Sequence, residues 1–285
     1  MASKRTLDDP VRLKAQQLRE AQEKTDRRTR AIIISIVVVV VLAVVATVAI
    51  VISRQIAKKS EALTADPVAV LGDYASGEPI LYSHLGVGKI DESLPTLTEY
   101  FDYSCHACAD IDVLIGAQVS AGAQKGEYNV KYQPVQTIGL GYMSPATSAS
   151  LIVAQKDPEH WAAFHHALLA YFSTQFRAGK GEVIQDIDNS WKQVKVIASQ
   201  VGVPESVSDG FPVNVVTDYL AASTQAWRDA PVQGRSNLGT PEFVNNDSVK
   251  IELSGKDPAA ILASLRAGMG LPVDGAPSSE SAQSE

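Results

Sequence analysis

The hydrophobic pattern of the chain begins with one long uncharged segment. Residues 31–52 read AIIISIVVVVVLAVVATVAIVI, and as a helix this run would rise ~33 Å, close to the thickness of a bilayer's hydrocarbon core. Strands rarely exceed about ten residues, so the β-branched residues do not predict a buried strand here. The run therefore predicts a single transmembrane anchor over residues 31–53.

A cleavable signal peptide is the alternative interpretation of this segment. Its apolar region would be shorter than the run observed, and a small-x-small cleavage pattern would follow it. Neither an Ala-x-Ala pattern nor a cysteine suited to lipid attachment follows the run. We therefore expect an anchor that is not cleaved, with membrane lipid as its partner.

Charge differs sharply on the two sides of this run. Residues 1–30 contain nine Lys or Arg and five Asp or Glu, a net charge of +4, whereas residues 54–285 contain sixteen and 27, a net charge of −11. The positive-inside rule then predicts a cytoplasmic basic segment over residues 1–30 and a large extracytoplasmic part after the anchor. The net charge of −7 for the whole chain argues against a nucleic-acid partner.

After the anchor, we expect a linker over residues 54–70, one folded domain over residues 71–271 and a polar, disordered tail over residues 272–285. Runs of aromatic and β-branched residues predict strands near both ends of the domain. The predicted strands span residues 79–87, 97–103, 129–136, 242–244 and 249–253. Pro134 indicates that the third strand ends there or lies at a sheet edge.

Helical spacing dominates the middle of the domain, over about residues 145–230. Three helices are predicted there, over residues 159–176, 189–201 and 213–228. A last helix over residues 258–269 should follow the final strand, with Asp257 as its N-cap and Pro258 at its first position. The sequence therefore predicts an α/β domain that is interrupted by a helical insertion.

The only two cysteines, Cys105 and Cys108, form a Cys-x-x-Cys motif that directly follows a predicted strand. Two thiols exclude a four-thiolate zinc site, and Ala109 stands where a haem-attachment motif requires histidine. A purely structural disulfide is the main alternative, but a bridge across so short a loop restrains the unfolded chain little. We therefore predict a redox-active disulfide outside the cytoplasm, where disulfides persist, and no other cofactor.

A strand-to-helix junction favours this chemistry. The free amide hydrogens and positive end of a helix would stabilise the Cys105 thiolate, and an imidazolium at His106 would add to that effect. A solvated polar residue at a helix start is the alternative for His106. A zinc site made of the two cysteines and two histidines is a weaker alternative. His160, His165 and His166 lie on one predicted helix, but the adjacent pair should point to different faces, and no metal is expected.

With these residues in view, residues 78–270 resemble the DsbA-like branch of the thioredoxin fold. Residues 99–108, EYFDYSCHAC, are similar to the strand that leads into the active-site helix of that family. Residues 239–244, GTPEFV, are similar to the loop and strand that carry its cis-proline, and a helical insertion stands between the two motifs. The resemblance implies a thioredoxin fold with a helical insertion, preceded by the transmembrane helix.

The resemblance also implies roles for matching residues. Cys105 would be the exposed nucleophile and Cys108 the buried resolving thiol. Pro241 would be cis and face the disulfide, while Thr240 would present its backbone to an extended substrate. Glu99 would be a buried acid that relays a proton to or from Cys108, and a satisfied structural acid is the alternative.

Two positions near the motif modify this picture. Strand alternation places Asp102 on the opposite face from Glu99, so we expect a lesser role for Asp102. The His106-Ala107 pair departs from the Pro-His or Pro-Phe pair of many family members, so their redox potentials are not transferable.

These features together predict an extracytoplasmic thiol-disulfide oxidoreductase that introduces disulfides into exported proteins by dithiol-disulfide exchange. The implied partners are exported proteins with free thiols and a quinone-linked membrane oxidoreductase that restores the disulfide. An extracytoplasmic reductase or isomerase is the alternative, and it would use the same motif for thiol-disulfide exchange in another direction of electron flow. A non-enzymatic thioredoxin-fold binding module and a metal or haem chaperone using the two thiols are the remaining alternatives.

Overall fold

The computed structural model describes Lys14, Ala46, Thr47, Ile50 and residues 62–273. The chain divides into two units, residues 1–60 and 61–285, and all elements named below belong to the second. Among the described residues, none forms a helix long and apolar enough to cross a bilayer. Nearly all of the predicted anchor, the basic segment and the tail beyond residue 273 lie outside the described residues.

A six-stranded mixed sheet forms the frame of the second unit. The strands are β1 (Ile80–Ser83), β2 (Gly86–Val87), β3 (Thr96–Phe101), β4 (Asn129–Pro134), β5 (Glu242–Asn245) and β6 (Val249–Ile251). Their order is β2-β1-β4-β3-β5-β6. Only the β3–β4 pair of this sheet is parallel, and the central strand β3 is buried along nearly its whole length.

Two predicted strands differ from the observed ones in an informative way. The strand predicted over residues 79–87 is a tight hairpin, β1 and β2, because residues 84–85 form a turn. Pro134 ends strand β4, as one of its two interpretations required, but β4 lies inside the sheet rather than at its edge. Proline is tolerated there because pairing passes to the next residue, whose amide donates to the Phe101 carbonyl at 2.8 Å.

Most of the helices lie between β4 and β5. The described helices are α1 (Pro67–Leu71), α2 (His106–Ile111), α3 (Ala117–Gln124), α4 (Met143–Lys156), α5 (Pro158–Arg177), α6 (Gly181–Gln185), α7 (Ile187–Gln200), α8 (Glu205–Ser208), α9 (Thr217–Asp229) and α10 (Pro258–Gly268). Helices α4 to α9 form the predicted helical insertion. A π-helical turn over Asp112–Gly116 joins α2 to α3.

The ends and faces of these helices follow the sequence signals. The Asp257 carboxylate accepts a hydrogen bond from the Ala260 amide at 2.9 Å, so it caps α10 as predicted. Helix α5 buries one aromatic and aliphatic face completely, and this face forms much of the core between the insertion and the sheet. Its fully buried residues include Trp161, Phe164, Leu168 and Phe172.

Part of the predicted linker belongs to the folded unit. Helix α1 is capped by the Asp66 carboxylate and ends at the buried Leu71. Ala62 packs with Trp191 and Val213, and its carbonyl accepts a hydrogen bond from the Val213 amide at 2.9 Å. These apolar contacts explain why ordered structure begins before residue 71.

Candidate active site

The Cys-x-x-Cys motif stands where strand β3 passes into helix α2. Cys105 is the N-cap of α2, in an extended conformation, and its carbonyl accepts the first helical hydrogen bond from the Ala109 amide at 3.1 Å. Both cysteines are free thiols in this structure. Cys108 is 1% exposed and Cys105 6% exposed, so Cys105 is the more accessible sulfur.

The two sulfurs have opposite electrostatic environments. Hydrogen bonding from Cys108, assisted by Thr240 and by backbone amides at the helix start, lowers the pKa of Cys105 to about 6 against the effect of its burial. Burial raises the pKa of Cys108 well above its ordinary value, and the hydrogen bond and charge of Cys105 act in the same direction. At neutral pH the site therefore holds a Cys105 thiolate beside a Cys108 thiol.

The Thr240–Pro241 peptide faces Cys105 from the loop before β5. This peptide bond is cis, the isomer that the resemblance implied. In its thiol form, Cys105 donates to the Thr240 carbonyl, with 3.4 Å between the sulfur and the oxygen. The Thr240 hydroxyl lies 2.9 Å from the Thr137 hydroxyl, which belongs to the loop after β4. Three separate chain segments are therefore linked through Thr240, which contacts the sulfur on one side and Thr137 on the other.

Asp102 connects these segments, although a lesser role than that of Glu99 was predicted for it from strand alternation. Its carboxylate is fully buried and accepts five hydrogen bonds. The donors are the amide and hydroxyl of Ser104, the amide and hydroxyl of Thr137, and the amide of Ile138, at 2.6–3.1 Å. The Asp-x-Ser spacing is a turn signal that fits the first two donors, although no turn was predicted from it, whereas no local sequence feature points to the other three.

A buried ion pair holds the loop that carries Thr240. Arg235 donates to both carboxylate oxygens of Glu242, at 2.9 and 2.7 Å, and the Trp227 indole donates to the same carboxylate at 2.6 Å. Arg235 also donates to the carbonyls of Trp227 and Ala230. This network ties the loop to the end of α9 and fixes where β5 begins.

Glu99 is buried in the sheet on β3, opposite Tyr132 of β4 and Phe243 of β5. Burial, with a smaller contribution from the charge of Asp112, raises the pKa of Glu99 to about 8. Asp112 lies one helical turn after Cys108, and its amide donates to the Cys108 carbonyl. The two buried acids, Glu99 and Asp112, are therefore close enough to interact, and Glu99 is protonated at neutral pH.

His106 points away from the core and lies against the helical insertion. Its ring stacks on that of Phe176 at 4.7 Å between centroids, with an angle of 7° between the planes. Phe176 belongs to α5 and is itself 47% exposed. Phe176 was not predicted from the sequence, because a residue near the end of an amphipathic helix gives no signal for a partner seventy residues earlier.

The adjacent histidines of α5 do not diverge as expected. Both rings approach Asp112, and one possible ligand atom from each of these three residues lies within 4.8 Å of the others. Burial, with the charge of His166, lowers the pKa of His165 well below its ordinary value. His160, the third histidine considered for zinc, instead pairs with Asp157 at 2.9 Å.

No protein-family model matches the sequence, and no curated protein matches it. Solved structures do match. The MdbA thiol-disulfide oxidoreductase of Actinomyces oris has a TM-score of 0.53 and 21% identity over 66% of this chain and 86% of its own. Reduced DsbA from Mycobacterium tuberculosis has a TM-score of 0.48 and 21% identity over 70% and 95%. Oxidised BdbD from Bacillus subtilis has a TM-score of 0.44 and 20% identity over 68% and 94%.

At this level of identity the likeness to the A. oris structure establishes the fold. The chain has an α/β thioredoxin-like fold of the DsbA-like kind, with the helical insertion that the sequence predicted. A Cys-x-x-Cys pair stands at the amino end of α2, the first helix after the central strand β3. What this pair does in the present chain is a separate question that its own geometry has to answer.

Proposed function

We propose that this chain is an extracytoplasmic thiol-disulfide oxidoreductase that introduces disulfides into exported proteins through Cys105 and Cys108. One observation carries the proposal: the Cys105 sulfur lies at a helix start, 3.4 Å from the Thr240 carbonyl, with its pKa lowered to about 6. A structural cysteine needs none of these features, whereas a nucleophile and leaving group needs a stabilised thiolate.

The reaction begins with the enzyme in its disulfide form. A substrate thiolate attacks Cys105 Sγ, the Cys105–Cys108 bond breaks, and its electron pair goes to the Cys108 sulfur, which takes up a proton. The high pKa of Cys108 favours that uptake, and protonated Glu99 is a suitable proton donor. A second substrate thiolate then attacks the substrate sulfur of the mixed disulfide, and Cys105 leaves as a thiolate. The substrate is oxidised by two electrons and the enzyme pair is reduced.

Substrate binding uses the backbone beside the sulfur. The Thr240 carbonyl is directed at Cys105, so an extended peptide lying along this loop would bring its cysteine to the nucleophile by strand-like pairing. The exposed ring of Phe176 adds an apolar surface on the other side of the motif.

The direction of electron flow follows from the two sulfurs. A stabilised Cys105 thiolate favours the reduced form of the pair, and a pair that is stable when reduced oxidises its substrates. This supports an oxidase over a reductase. Restoring the disulfide requires an oxidant, for which we propose a quinone-linked membrane oxidoreductase, reached through the predicted anchor at residues 31–53.

The test is oxidative refolding of a reduced, unfolded protein that contains disulfides. Wild-type protein should accelerate disulfide formation, Cys105→Ser should abolish the acceleration, and Cys108→Ser should accumulate a mixed disulfide with substrate. The pair should also equilibrate with glutathione at a potential well above thioredoxin's, which is about −270 mV. A potential near that of thioredoxin would contradict the oxidase function and favour a reductase function instead. Acceleration by the double serine variant would overturn redox use of the pair.

Localisation needs a second experiment. Protease added to intact cells should remove the domain at residues 71–271 and leave the basic segment protected, if the anchor places the domain outside. Complete protection of the domain would contradict the proposed topology without affecting the chemistry of the pair.

A further inference from the structure

Three side chains beneath the sheet form a group that the redox chemistry does not use. Asp112 begins the π-helical turn, and His165 and His166 are neighbours on α5. The Asp112 Oδ1 atom lies 2.7 Å from His166 Nδ1 and 3.8 Å from His165 Nε2. One carboxylate oxygen and two imidazole nitrogens thus lie within 4.8 Å of one another, on two buried residues, Asp112 and His165, and the partly buried His166.

The nitrogen of His165 in this group has no partner. His165 Nε2 is fully buried, and no hydrogen-bond partner lies within reach of it among the described residues. Its other ring nitrogen, Nδ1, lies 2.8 Å from the Tyr103 hydroxyl. That hydroxyl donates its own hydrogen to Ser150 Oγ at 2.8 Å. The Tyr103 oxygen must therefore accept from His165 Nδ1, which places the hydrogen on Nδ1 and leaves a lone pair on Nε2.

This assignment creates an unusual contact. A lone pair on His165 Nε2 faces a carboxylate oxygen of Asp112, and two acceptors without a hydrogen between them do not attract each other. Buried polar atoms nearly always have a partner, so an unpartnered acceptor of this kind requires an explanation. A cation between the two atoms would satisfy both.

The surroundings match those of metal-binding histidines. Such histidines almost always donate their second ring nitrogen to a neighbouring acceptor, which fixes the ring and its tautomer. His165 has Tyr103 in that position, and His166 has the Ser120 hydroxyl at 2.9 Å from its Nε2. Gly116 provides the space, because a Cβ at that residue would collide with Asp112 Oδ1 and lie 3.0 Å from His166 Nδ1.

We propose that Asp112, His165 and His166 bind one divalent transition-metal ion, with Zn²⁺ as the representative ion. Two imidazoles and one carboxylate form a three-ligand set that leaves a coordination position open. The proposal involves neither cysteine and does not depend on the proposed oxidase activity.

The experiment measures Zn²⁺ binding to the full chain by calorimetry, in a Cys105→Ala/Cys108→Ala background so that thiols contribute nothing. We expect one Zn²⁺ per chain. Asp112→Asn and His166→Ala should each weaken binding at least about tenfold, since even outer-shell partners of a metal site are worth that much. His84→Ala, a histidine outside the group, should bind as tightly as its parent.

Two results would overturn the site. Absence of Zn²⁺ binding to the cysteine-free chain is one. The second is Zn²⁺ binding that persists in Asp112→Asn and His166→Ala but is lost in His160→Ala. That result would assign the ion to the group formed by Asp157, Glu159 and His160. If the substitutions impair folding, the absorption spectrum of Co²⁺ added to the parent decides. A four- or five-coordinate ligand-field spectrum supports the site, and the spectrum of hydrated Co²⁺ contradicts it.

Discussion

In its thiol form, Cys105 donates a hydrogen bond to the Thr240 carbonyl, 3.4 Å away and 135 residues later in the sequence. This contact closes a ring of hydrogen bonds, because Thr240 reaches Thr137, Thr137 reaches Asp102, and Asp102 holds the residue immediately before Cys105. Cys105 is thus fixed relative to the loop after β4 and the loop before β5. A substitution at any residue of this hydrogen-bonded ring should therefore change a measurable property of the Cys105 sulfur.

The acidity of Cys105 is the most direct measurement. Thiolate ultraviolet absorbance of the reduced protein should rise with pH around a midpoint of about 6, and Cys105→Ser should remove that transition. Thr240→Val keeps the side-chain shape but removes the hydroxyl that helps to lower this pKa. The midpoint should move upward by about one unit, because a hydrogen bond to a charged group is worth ~1.5 kcal/mol and one unit is ~1.4 kcal/mol. An unchanged midpoint would exclude the Thr240 side chain as a cause.

Asp102 should matter chiefly for stability. Asp102→Asn replaces one accepting oxygen by an amide group that faces N–H and O–H donors, so buried donors lose their partners. The free energy of unfolding, measured with denaturant on the reduced protein, should fall by at least about 3 kcal/mol. The exposed Asp218→Asn is the matched control and should cost under about 1 kcal/mol. Equal losses in the two variants would contradict the anchoring role.

The contrast between Asp102 and the cysteines indicates what sequence reasoning reaches. Cys105 and Cys108 were identified because spacing, position after a strand and the lack of other thiols all restrict the chemistry. The partners of Asp102 in the loop after β4 lie 35 and 36 residues away. The position of these partners depends on the course of the loop after β4, which leaves the sheet beside β3. Hydrophobic periodicity in the sequence does not predict the course of that loop.

The helices illustrate a second limit. Helix α5 was predicted within a residue of each end, because its buried face repeats with helical spacing. Helix α4 is buried on nearly all sides, so it has no polar stripe to define its limits, and it was predicted only as part of an alanine-rich region. The anchor over residues 31–53 lies almost entirely outside the described residues and stays a prediction.

Glu99 should make stability depend on pH in a direction opposite to an ordinary acid. Its pKa is about 8 in the folded chain against an ordinary value of 4.5. Between these values the unfolded chain has lost the proton and the folded chain keeps it, so stability falls as pH rises. Glu99→Gln should therefore match wild type below about pH 4 and exceed it by roughly 2–5 kcal/mol at pH 8.

Denaturant unfolding at several pH values, with a chelator present, measures this difference for Glu99→Gln. The exposed Glu92→Gln is the control and should leave the pH dependence unchanged. A Glu99→Gln curve parallel to that of wild type across the range would mean that Glu99 is ionised in the folded chain, and it would remove Glu99 as a proton donor to Cys108.

Phe176 should contribute to substrate binding rather than to the chemistry at sulfur. Its ring is about half exposed, stacks on His106 and lies beside the motif, so a bound substrate would cover it. Covering that remaining surface is worth ~1 kcal/mol, since full burial of a phenylalanine side chain is worth ~1.5–3 kcal/mol. Phe176→Ala should therefore raise KM for a protein substrate about fivefold with kcat nearly unchanged.

Two control variants test this role of Phe176. Phe176→Trp should retain the low KM, and Val196→Ala, which changes an exposed apolar residue on α7, should change neither constant. A fall in kcat at constant KM would instead mean that the ring acts on Cys105 through His106.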